Sequence, residues 1–381
     1  MAMKHLVLVG GGHSHVEVLR RWGLRPEPGA RLTLIGRERH TPYSGMLPGF
    51  IAGHYSFEQM HIDLAALAQF AGAEFIHDEA IGLDTRRTQL HRRNGSPLSY
   101  DLLAIDTGSS PLLATAPGAS VHAVAVKPIS NFIDRWKKVE ARVRAATGTV
   151  RIGVVGAGAG GVEILLAIQH AFANMPKAGT ASASGQRVEF HLISAGPVLP
   201  THNPGTRRRF ERVLAARGVV VHTGHAVAEL LANAVRLEDG TSLPLDETLW
   251  VTQAGGLPWI AKSGLATDER GFIRVSDTLE SISHPGVFAS GDVAAVVNHP
   301  REKAGVFAVR QGPPLTANLR RALRGEPLQT FTPQKKFLSL ISTGDRYAVA
   351  SRGQWSAEGR LLWTLKDWID RRFMSRYQNL A

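Results

Sequence analysis

The chain has 381 residues, and its 44 basic and 32 acidic side chains give a formal net charge of +12. It contains no cysteine. This excludes a redox-active dithiol, a persulfide-forming cysteine, a disulfide framework, an iron–sulfur cluster and a thiolate zinc site. The length predicts two to three domains at roughly 150 residues each, and 39 glycines with 44% hydrophobic residues are typical of an α/β protein.

The apolar segments are short. No apolar run approaches the roughly 18 residues needed to span a bilayer. The apolar start at residues 6–9 is too short for the core of a signal peptide and leads directly into glycines. We therefore expect a cytoplasmic protein.

The first third of the chain alternates predicted strands and helices. In chain order these are a strand at 5–9, the turn Gly10-Gly11-Gly12-His13-Ser14-His15, a helix at 16–22, a strand at 31–35, a helix at 63–72 and a strand at 73–77. The segment at 98–106 then leads into the next motif. Thr107-Gly108 ends this series. Residues 111–118, rich in proline, glycine and alanine, predict a crossing into another domain.

The same pattern then occurs a second time. After a charged helix at 129–146 come a strand at 151–155, glycines from 156 to 161, a helix at 162–172, a loop at 176–185 expected to be mobile, a strand at 188–194 and a basic helix at 206–217. Strands that alternate with helices predict parallel sheets with helical crossovers, so we expect two Rossmann-like domains. The segment from residue 331 onward has neither pattern.

The second glycine turn is complete, with Gly156, Gly158 and Gly161 between a strand and a helix. These glycines permit a tight turn, a close approach of the backbone to pyrophosphate, and close packing of helix on strand. The helix N-terminus supplies the partial positive charge that binds phosphates. The pattern predicts a dinucleotide site rather than a purely structural turn.

The first glycine turn departs from this pattern because His15 replaces the third glycine. The helix should therefore lie slightly farther from the strand. His13 and His15 could serve as metal ligands or as imidazoles near the pyrophosphate, and we favour the second reading. No metal site is predicted.

The acidic residue that usually binds the adenosine ribose is missing from both units. Gly36 and Ser194 stand at the two places, and Glu38 follows Gly36. The missing acid removes repulsion against a 2′-phosphate, so NADPH becomes possible. The nearest cations are at residues 207–209, and we favour a solvated helix face as their explanation.

Four ordered motifs resemble the two-dinucleotide-binding flavoprotein family, the relatives of the pyridine nucleotide-disulfide oxidoreductases. They are the two glycine turns, Thr107-Gly108 and the Gly-Val-Phe-Ala-Ser-Gly-Asp sequence at 286–292. The resemblance covers about residues 4–330. Within the family the chain is similar to type II NADH dehydrogenases and, more closely, to the oxidoreductase-like domain fused to selenide, water dikinase. Residues 10–16, 41–49 and 342–350 carry the closer likeness.

The resemblance implies the cofactors and the domains. It places FAD on the first turn and on Gly291-Asp292, and NAD(P)H on the second turn. The implied domains are an FAD-binding domain at 1–112 and 271–325, an inserted NAD(P)H-binding domain at 113–270, and a C-terminal α+β segment at 326–381.

The resemblance also implies a set of site residues. Lys127 matches a lysine near the flavin, although a solvated surface lysine is an equal alternative, and Glu163 matches a glutamate near the nicotinamide or is an ordinary acid of a helix N-terminus. The predicted cofactor-binding residues are Gly10, Gly11, Gly12, His13, Ser14, His15, Arg37, Pro42, Ser44, Gly45, Thr107, Gly108, Gly156, Gly158, Gly161, Ser194, Gly255, Gly291, Asp292, Lys303, Gly305, Val306 and Phe307.

The electron acceptor is less well defined. Type II NADH dehydrogenases carry a pair of glutamines near the quinone, and the matching positions here hold Val306 and Arg310. Gln311 stands next door. This departure counts against an ordinary quinone site.

The C-terminal tail is basic. Residues 320–381 hold 12 basic and 5 acidic side chains. A helix at 361–377 would place residues 361, 362, 365, 368, 369 and 373 on one apolar face, and residues 366, 367, 370, 371 and 375 largely on the other. Such a helix suits an anionic membrane surface, the protein's own core or a second subunit in a homodimer. We favour docking on protein.

The leading hypothesis is an FAD-dependent NAD(P)H oxidoreductase that passes a hydride from NAD(P)H to flavin N5, and electrons on to a quinone or another small acceptor. The protein would be cytoplasmic or peripheral on the inner face of the membrane. The alternatives are a soluble flavoprotein of selenium metabolism and a non-enzymatic nucleotide sensor with a basic tail. We do not expect nucleic acid as a partner.

Overall fold

The computed structural model describes residues 3–113, 116–174, 187–252 and 254–380. The predicted loop at 176–185 lies outside these residues. The helices are α1 (His13–Leu24), α2 (Leu47–Ile51), α3 (Phe57–Met60), α4 (Leu64–Phe70), α5 (Ala119–His122), α6 (Ile129–Ala145), α7 (Ala159–Ala173), α8 (Pro204–Ala216), α9 (Pro258–Ala261), α10 (Gly305–Arg324) and α11 (Arg360–Gln378).

The strands of the first half are β1 (Lys4–Val9), β2 (Ala30–Gly36), β3 (His40–Pro42), β4 (His61–Asp63), β5 (Glu74–His77), β6 (Ala80–Asp84), β7 (Gln89–Arg92), β8 (Leu98–Ser99), β9 (Leu102–Ile105), β10 (Ser110–Pro111), β11 (Val124–Ala125), β12 (Thr149–Val155) and β13 (Arg187–Ser194). Those of the second half are β14 (Val220–Thr223), β15 (Val227–Leu231), β16 (Ala234–Leu237), β17 (Ser242–Pro244), β18 (Glu247–Trp250), β19 (Ala254–Gly255), β20 (Ile273–Val275), β21 (Val287–Ala289), β22 (Ala294–Val296), β23 (Ser339–Ser342), β24 (Ala348–Arg352) and β25 (Trp355–Gly359).

The first large sheet is parallel, with the order β21-β9-β1-β2-β5. Its central strand β1 is buried from His5 to Val9. A strand covered on both faces needs an unbroken apolar run rather than an alternating one, and this is the pattern that the sequence shows. Helices α1, α4 and α10 pack around it.

The second large sheet has the order β11-β18-β12-β13-β14 and is also parallel. Its central strand β12 is followed by the second glycine turn and α7, as β1 is followed by the first turn and α1. The predicted α/β class with two Rossmann-like sheets is confirmed.

Most predicted elements are present, with earlier helix starts. Helix α1 begins at His13 rather than residue 16, and α7 begins at Ala159 rather than residue 162. In both cases the helix starts within the glycine turn, because Gly12 and Gly158 are the residues that precede it. Part of a glycine turn that looks like loop in the sequence thus belongs to the first turn of a helix.

The C-terminal segment contacts one helix of each Rossmann-like unit. Strands β23-β24-β25 form an antiparallel sheet, and α11 follows it. The Tyr377 hydroxyl donates to Glu17 Oε2 of α1 at 2.9 Å, whereas the Ser342 backbone N–H donates to Glu163 Oε1 of α7 at 2.6 Å. The segment therefore connects the two Rossmann-like units.

The apolar face predicted for α11 is largely exposed, and part of its polar face is buried. Four of the six apolar positions are exposed, namely residues 361, 365, 368 and 369, whereas the buried residues of the helix are Asp370, Phe373, Met374 and Tyr377. Lys366, which belongs to the polar face, points inward, and its ammonium lies 2.8 Å from Asp370 Oδ2. The helix docks through this ion pair and through its C-terminal half.

Candidate functional site

A cavity of about 1280 Å³ lies where the central strands of both large sheets end. In doubly wound sheets ligands bind at the carboxyl ends of the strands, where the helices diverge. Seventeen of the residues predicted from sequence line this cavity: Gly10, Gly11, Gly12, His13, Arg37, Pro42, Ser44, Gly45, Thr107, Gly108, Lys127, Gly158, Glu163, Asp292, Lys303, Gly305 and Val306. Residues of both glycine turns thus share one space.

The first glycine turn is built for close backbone contact. Gly10 has φ +91, and a Cβ there would lie 2.5 Å from the Asp106 carbonyl oxygen. A Cβ on Gly12 would lie 2.1 Å from the Asp106 carboxyl carbon. At Gly10 the strand-end backbone of Asp106 leaves no room for a side chain, whereas at Gly12 the Asp106 carboxyl group would have to move.

Asp106 is a site residue that the sequence reading missed. It is 2% exposed, and its Oδ2 accepts hydrogen bonds from the backbone N–H groups of Ser14 at 2.9 Å and His15 at 3.4 Å. Burial raises its pKa to about 7, Asp292 adds to the rise, and the two N–H bonds oppose it. The available signal was its place directly before Thr107-Gly108.

The two histidines of the first turn do not act together. His13 lines the cavity, and its buried Nε2 has no hydrogen-bond partner. His15 Nδ1 instead lies 2.7 Å from the Gly10 carbonyl oxygen. Burial lowers the pKa of both imidazoles to about 4. Across the described ranges no group of three or more His, Asp and Glu side chains could hold a metal ion.

Charged side chains from three segments meet beside the turn. Lys127 Nζ lies 2.6 Å from Asp292 Oδ2 and 3.2 Å from Ser109 Oγ. Burial alone would raise the pKa of Asp292, but the ammonium of Lys127 outweighs it and the pKa is lowered. Lys303 donates to the Ala294 carbonyl, and burial lowers its pKa to about 8.

The second glycine turn has the same construction. Gly156 has φ +118, and a Cβ there would lie 2.6 Å from the Val251 carbonyl oxygen. A Cβ on Gly161 would lie 1.8 Å from the Gly156 carbonyl oxygen, so α7 packs directly on the turn. Gly158 faces open space within the cavity.

A buried polar cluster joins α7, α11 and the segment after β3. Lys366 Nζ donates to the Gly45 carbonyl at 2.7 Å and to Asp370 at 2.8 Å, and Tyr43 hydrogen-bonds Asp370. Burial raises the pKa of Glu163 to about 7, although the nearby Lys366 lowers it in part. The opposite charges of Lys366 and Asp370, four residues apart on α11, were the missed signal.

The other eight predicted residues lie outside the lining of the cavity: Ser14, His15, Gly156, Gly161, Ser194, Gly255, Gly291 and Phe307. Several support it from behind. Ser14 Oγ donates to the Ala308 carbonyl at 2.7 Å, and Gly291 N–H donates to Gln311 Oε1 at 2.7 Å. Gly255 pairs with Ser110 and so ties β19 to β10.

Two arginines of α8, near the second unit, form ion pairs with the C-terminal segment. Arg209 Nη1 lies 2.6 Å from Glu358 Oε1, and Arg212 Nη2 lies 3.0 Å from the same atom. These arginines therefore join α8 to the C-terminal segment. Arg209 therefore contacts protein rather than solvent, unlike the solvated helix face that was expected.

The residues around the first turn fit FAD. His13 Nε2 and Thr107 Oγ1 are buried polar atoms without a hydrogen-bond partner, and both residues line the cavity. The N-terminus of α1 offers backbone N–H groups for a pyrophosphate. Gly10, Gly11 and Gly12 leave no side chain in its way. An elongated ligand with phosphates and hydroxyls suits this donor set.

Comparison with known proteins agrees with this geometry. The sequence profile of the pyridine nucleotide-disulphide oxidoreductases matches residues 4–318. A demethylphylloquinone reductase of Synechocystis is 24% identical over 56% of this chain and 52% of its own length. The sulfide-quinone reductase of Aquifex aeolicus is 25% identical over 77% of this chain and 69% of its own length. The chain thus spans about half the length of the first relative and two thirds of the second.

Two solved structures share the fold. The sulfide:quinone oxidoreductase of Aquifex aeolicus superposes with a TM-score of 0.82 at 19% identity, over 99% of this chain and 92% of that one. The NADH dehydrogenase of Plasmodium falciparum, solved with NADH, superposes with a TM-score of 0.81 at 14% identity, over 98% and 96%. The profile match over residues 4–318 shows that the chain belongs to the pyridine nucleotide-disulphide oxidoreductase family, with FAD and NAD(P)H as cofactors.

Proposed function

We propose that the protein oxidises NAD(P)H through FAD and reduces a quinone or another small acceptor, without any cysteine. One observation carries this proposal: a single cavity includes residues of both glycine turns and also Glu163 and Lys127. Two separate nucleotide sites would not permit direct transfer between their ligands. The quinone-reducing relatives named above support the class of acceptor.

The chain's own residues hold and orient the cofactors. The first turn, Thr107 and Asp292 would hold FAD, with Pro42, Ser44 and Gly45 beside its ring. When bound, the flavin supplies a two-electron carrier that accepts hydride, a chemistry that no side chain here provides. The Lys366 ammonium fixes the Gly45 carbonyl, and with it the segment from Pro42 to Gly45.

Glu163 is proposed as the proton source. The overall reaction consumes NAD(P)H, one proton and the quinone, and it yields NAD(P)⁺ and the hydroquinone. A carboxyl group whose pKa lies near 7 exchanges protons efficiently at neutral pH, and Glu163 combines that pKa with a place in the cavity wall.

The experiment is anaerobic mixing of the FAD-loaded protein with NADH or NADPH, followed by a quinone. We expect bleaching of the flavin and its recovery on addition of the quinone. Glu163→Gln should still fold but should lose the inflection near pH 7 in the rate of quinone reduction. Failure of both nucleotides to bleach the flavin would contradict the proposed function.

We propose further that the protein works at an anionic membrane surface through α11. The described residues contain no helix long and apolar enough to cross a membrane. Leu361, at 84% exposure, and Leu365 leave an apolar strip at the surface of this basic helix. Such a helix lies in the interface between headgroups and acyl chains. A homodimer that covers the same strip is the alternative.

A further inference from the structure

Three exposed arginines of α10 and α11 are among the residues that line the cavity, and we call them its rim. They are Arg310 of α10 and Arg372 and Arg376 of α11. Arg372 and Arg376 are four residues apart and so lie on one face of their helix. The same face carries Ile369 and Phe373, which also line the cavity.

None of these three arginines has a carboxylate within 4.0 Å among the described parts of the chain. Their neighbour Arg371 shows the contrast, because its Nε donates to Asp367 Oδ1 at 2.9 Å. Guanidinium groups that line one cavity without a paired carboxylate favour an anionic ligand. Guanidinium binds carboxylate, sulfonate and phosphate groups through paired N–H donors.

The wall next to this rim is apolar and aromatic. Trp368 is 54% exposed, and the Arg372 guanidinium carbon lies 5.0 Å from its ring centroid. Deeper in, Phe373 stacks on Tyr43 at a centroid distance of 4.4 Å. Tyr43 belongs to the segment that is proposed to lie beside the flavin. A flat apolar ligand would therefore have its ring inside and its charge at the rim.

We propose that the electron acceptor of this enzyme carries an anionic group on an apolar ring, and that Arg310, Arg372 and Arg376 bind that group. This inference rests on the proposed function, because it names the class of acceptor for the same cavity. It also accounts for the departure at position 310, where a neutral glutamine is replaced by a cation.

A ligand without redox chemistry tests the site independently of turnover. Naphthalene-2-sulfonate should bind the FAD-loaded protein in a 1:1 ratio by titration calorimetry. Arg372→Gln and Arg376→Gln should each weaken binding by about tenfold, since each removes a charge-assisted hydrogen bond. Arg360→Gln is the matched control, because Arg360 is exposed on the same helix but does not line the cavity. It should bind like the wild type.

Turnover provides the second arm. With NAD(P)H as donor, we compare 1,4-naphthoquinone with its 2-sulfonate. The two arginine variants should raise KM for the sulfonate by about tenfold and leave KM for the neutral quinone nearly unchanged. Equal binding of naphthalene-2-sulfonate by the wild type and both variants overturns the inference. A flavin that neither nucleotide bleaches, together with intact selective binding, would instead overturn only the proposed function.

Discussion

Asp106 is the residue whose environment differs most from that of an ordinary surface acid. Its carboxyl group is enclosed between the two strand-end glycines, Gly12 and Gly291, and it meets the backbone N–H groups that open α1. Negative charge is stabilised at a helix N-terminus, yet burial outweighs this effect and the pKa rises to about 7. The ionised form is therefore costly in the folded protein at alkaline pH.

Because burial raises the pKa of Asp106, we predict that Asp106→Asn stabilises the folded protein and that this stabilisation grows with pH. The pKa of Asp106 in the folded protein lies above the ordinary aspartate value of 3.8. The stabilising contribution is thus complete below about pH 4 and is lost as the pH rises through about 7. The variant keeps an acceptor for the Ser14 and His15 N–H groups but cannot ionise. We expect the free energy of unfolding at pH 8 to increase by on the order of 1 to 4 kcal/mol, with little change at pH 4.5. Thermal unfolding measures this increase.

Asp134→Asn is the control for this measurement. It removes the same charge from an exposed position on α6. A gain of equal size in both variants, or a gain for Asp106→Asn that does not grow with pH, would contradict the prediction.

At the scale of the element, α11 shows why a helical wheel can mislead. The apolar stripe was predictable from spacing, but its direction was not, because a buried ion pair between Lys366 and Asp370 takes the place of apolar contacts. Such a pair is stable only with further hydrogen bonds, which the Gly45 carbonyl and Tyr43 supply. Those partners lie about 320 residues earlier, beyond the reach of local pattern reasoning.

The exposed end of α11 leads to a prediction about membranes. Replacement of both Leu361 and Leu365 by serine should weaken binding to phosphatidylglycerol vesicles by at least tenfold, because each buried leucine contributes about 1.5 kcal/mol or more. Cosedimentation measures the effect. Replacement of Val121 and Ile282, two exposed apolar residues away from α11, is the control and should leave binding unchanged. Equal loss in both double variants would exclude a specific role for the helix.

At the scale of the whole molecule, the glycine turns and the late Gly291-Asp292 pair were the strongest sequence signals. They predicted the two parallel sheets and part of the cavity lining, because close backbone contact leaves glycine as the only choice at Gly10 and Gly156. The boundaries of the domains, placed at 112, 270 and 325, stay predictions. The C-terminal segment contributes further lining residues, and its basic and aromatic composition carries no motif that fixes its docking.

The strand order of the first sheet also has a consequence for the way the chain folds. Strand β21, which pairs with β9, lies about 180 residues after it along the chain. A ribosome therefore delivers the whole second sheet before the last strand of the first one is available. We expect the second large sheet to form completely first. Until β21 is available, the first sheet has an open strand edge at β9. Long-range pairing of this kind is slow, and during that interval the edge is open to association with other chains.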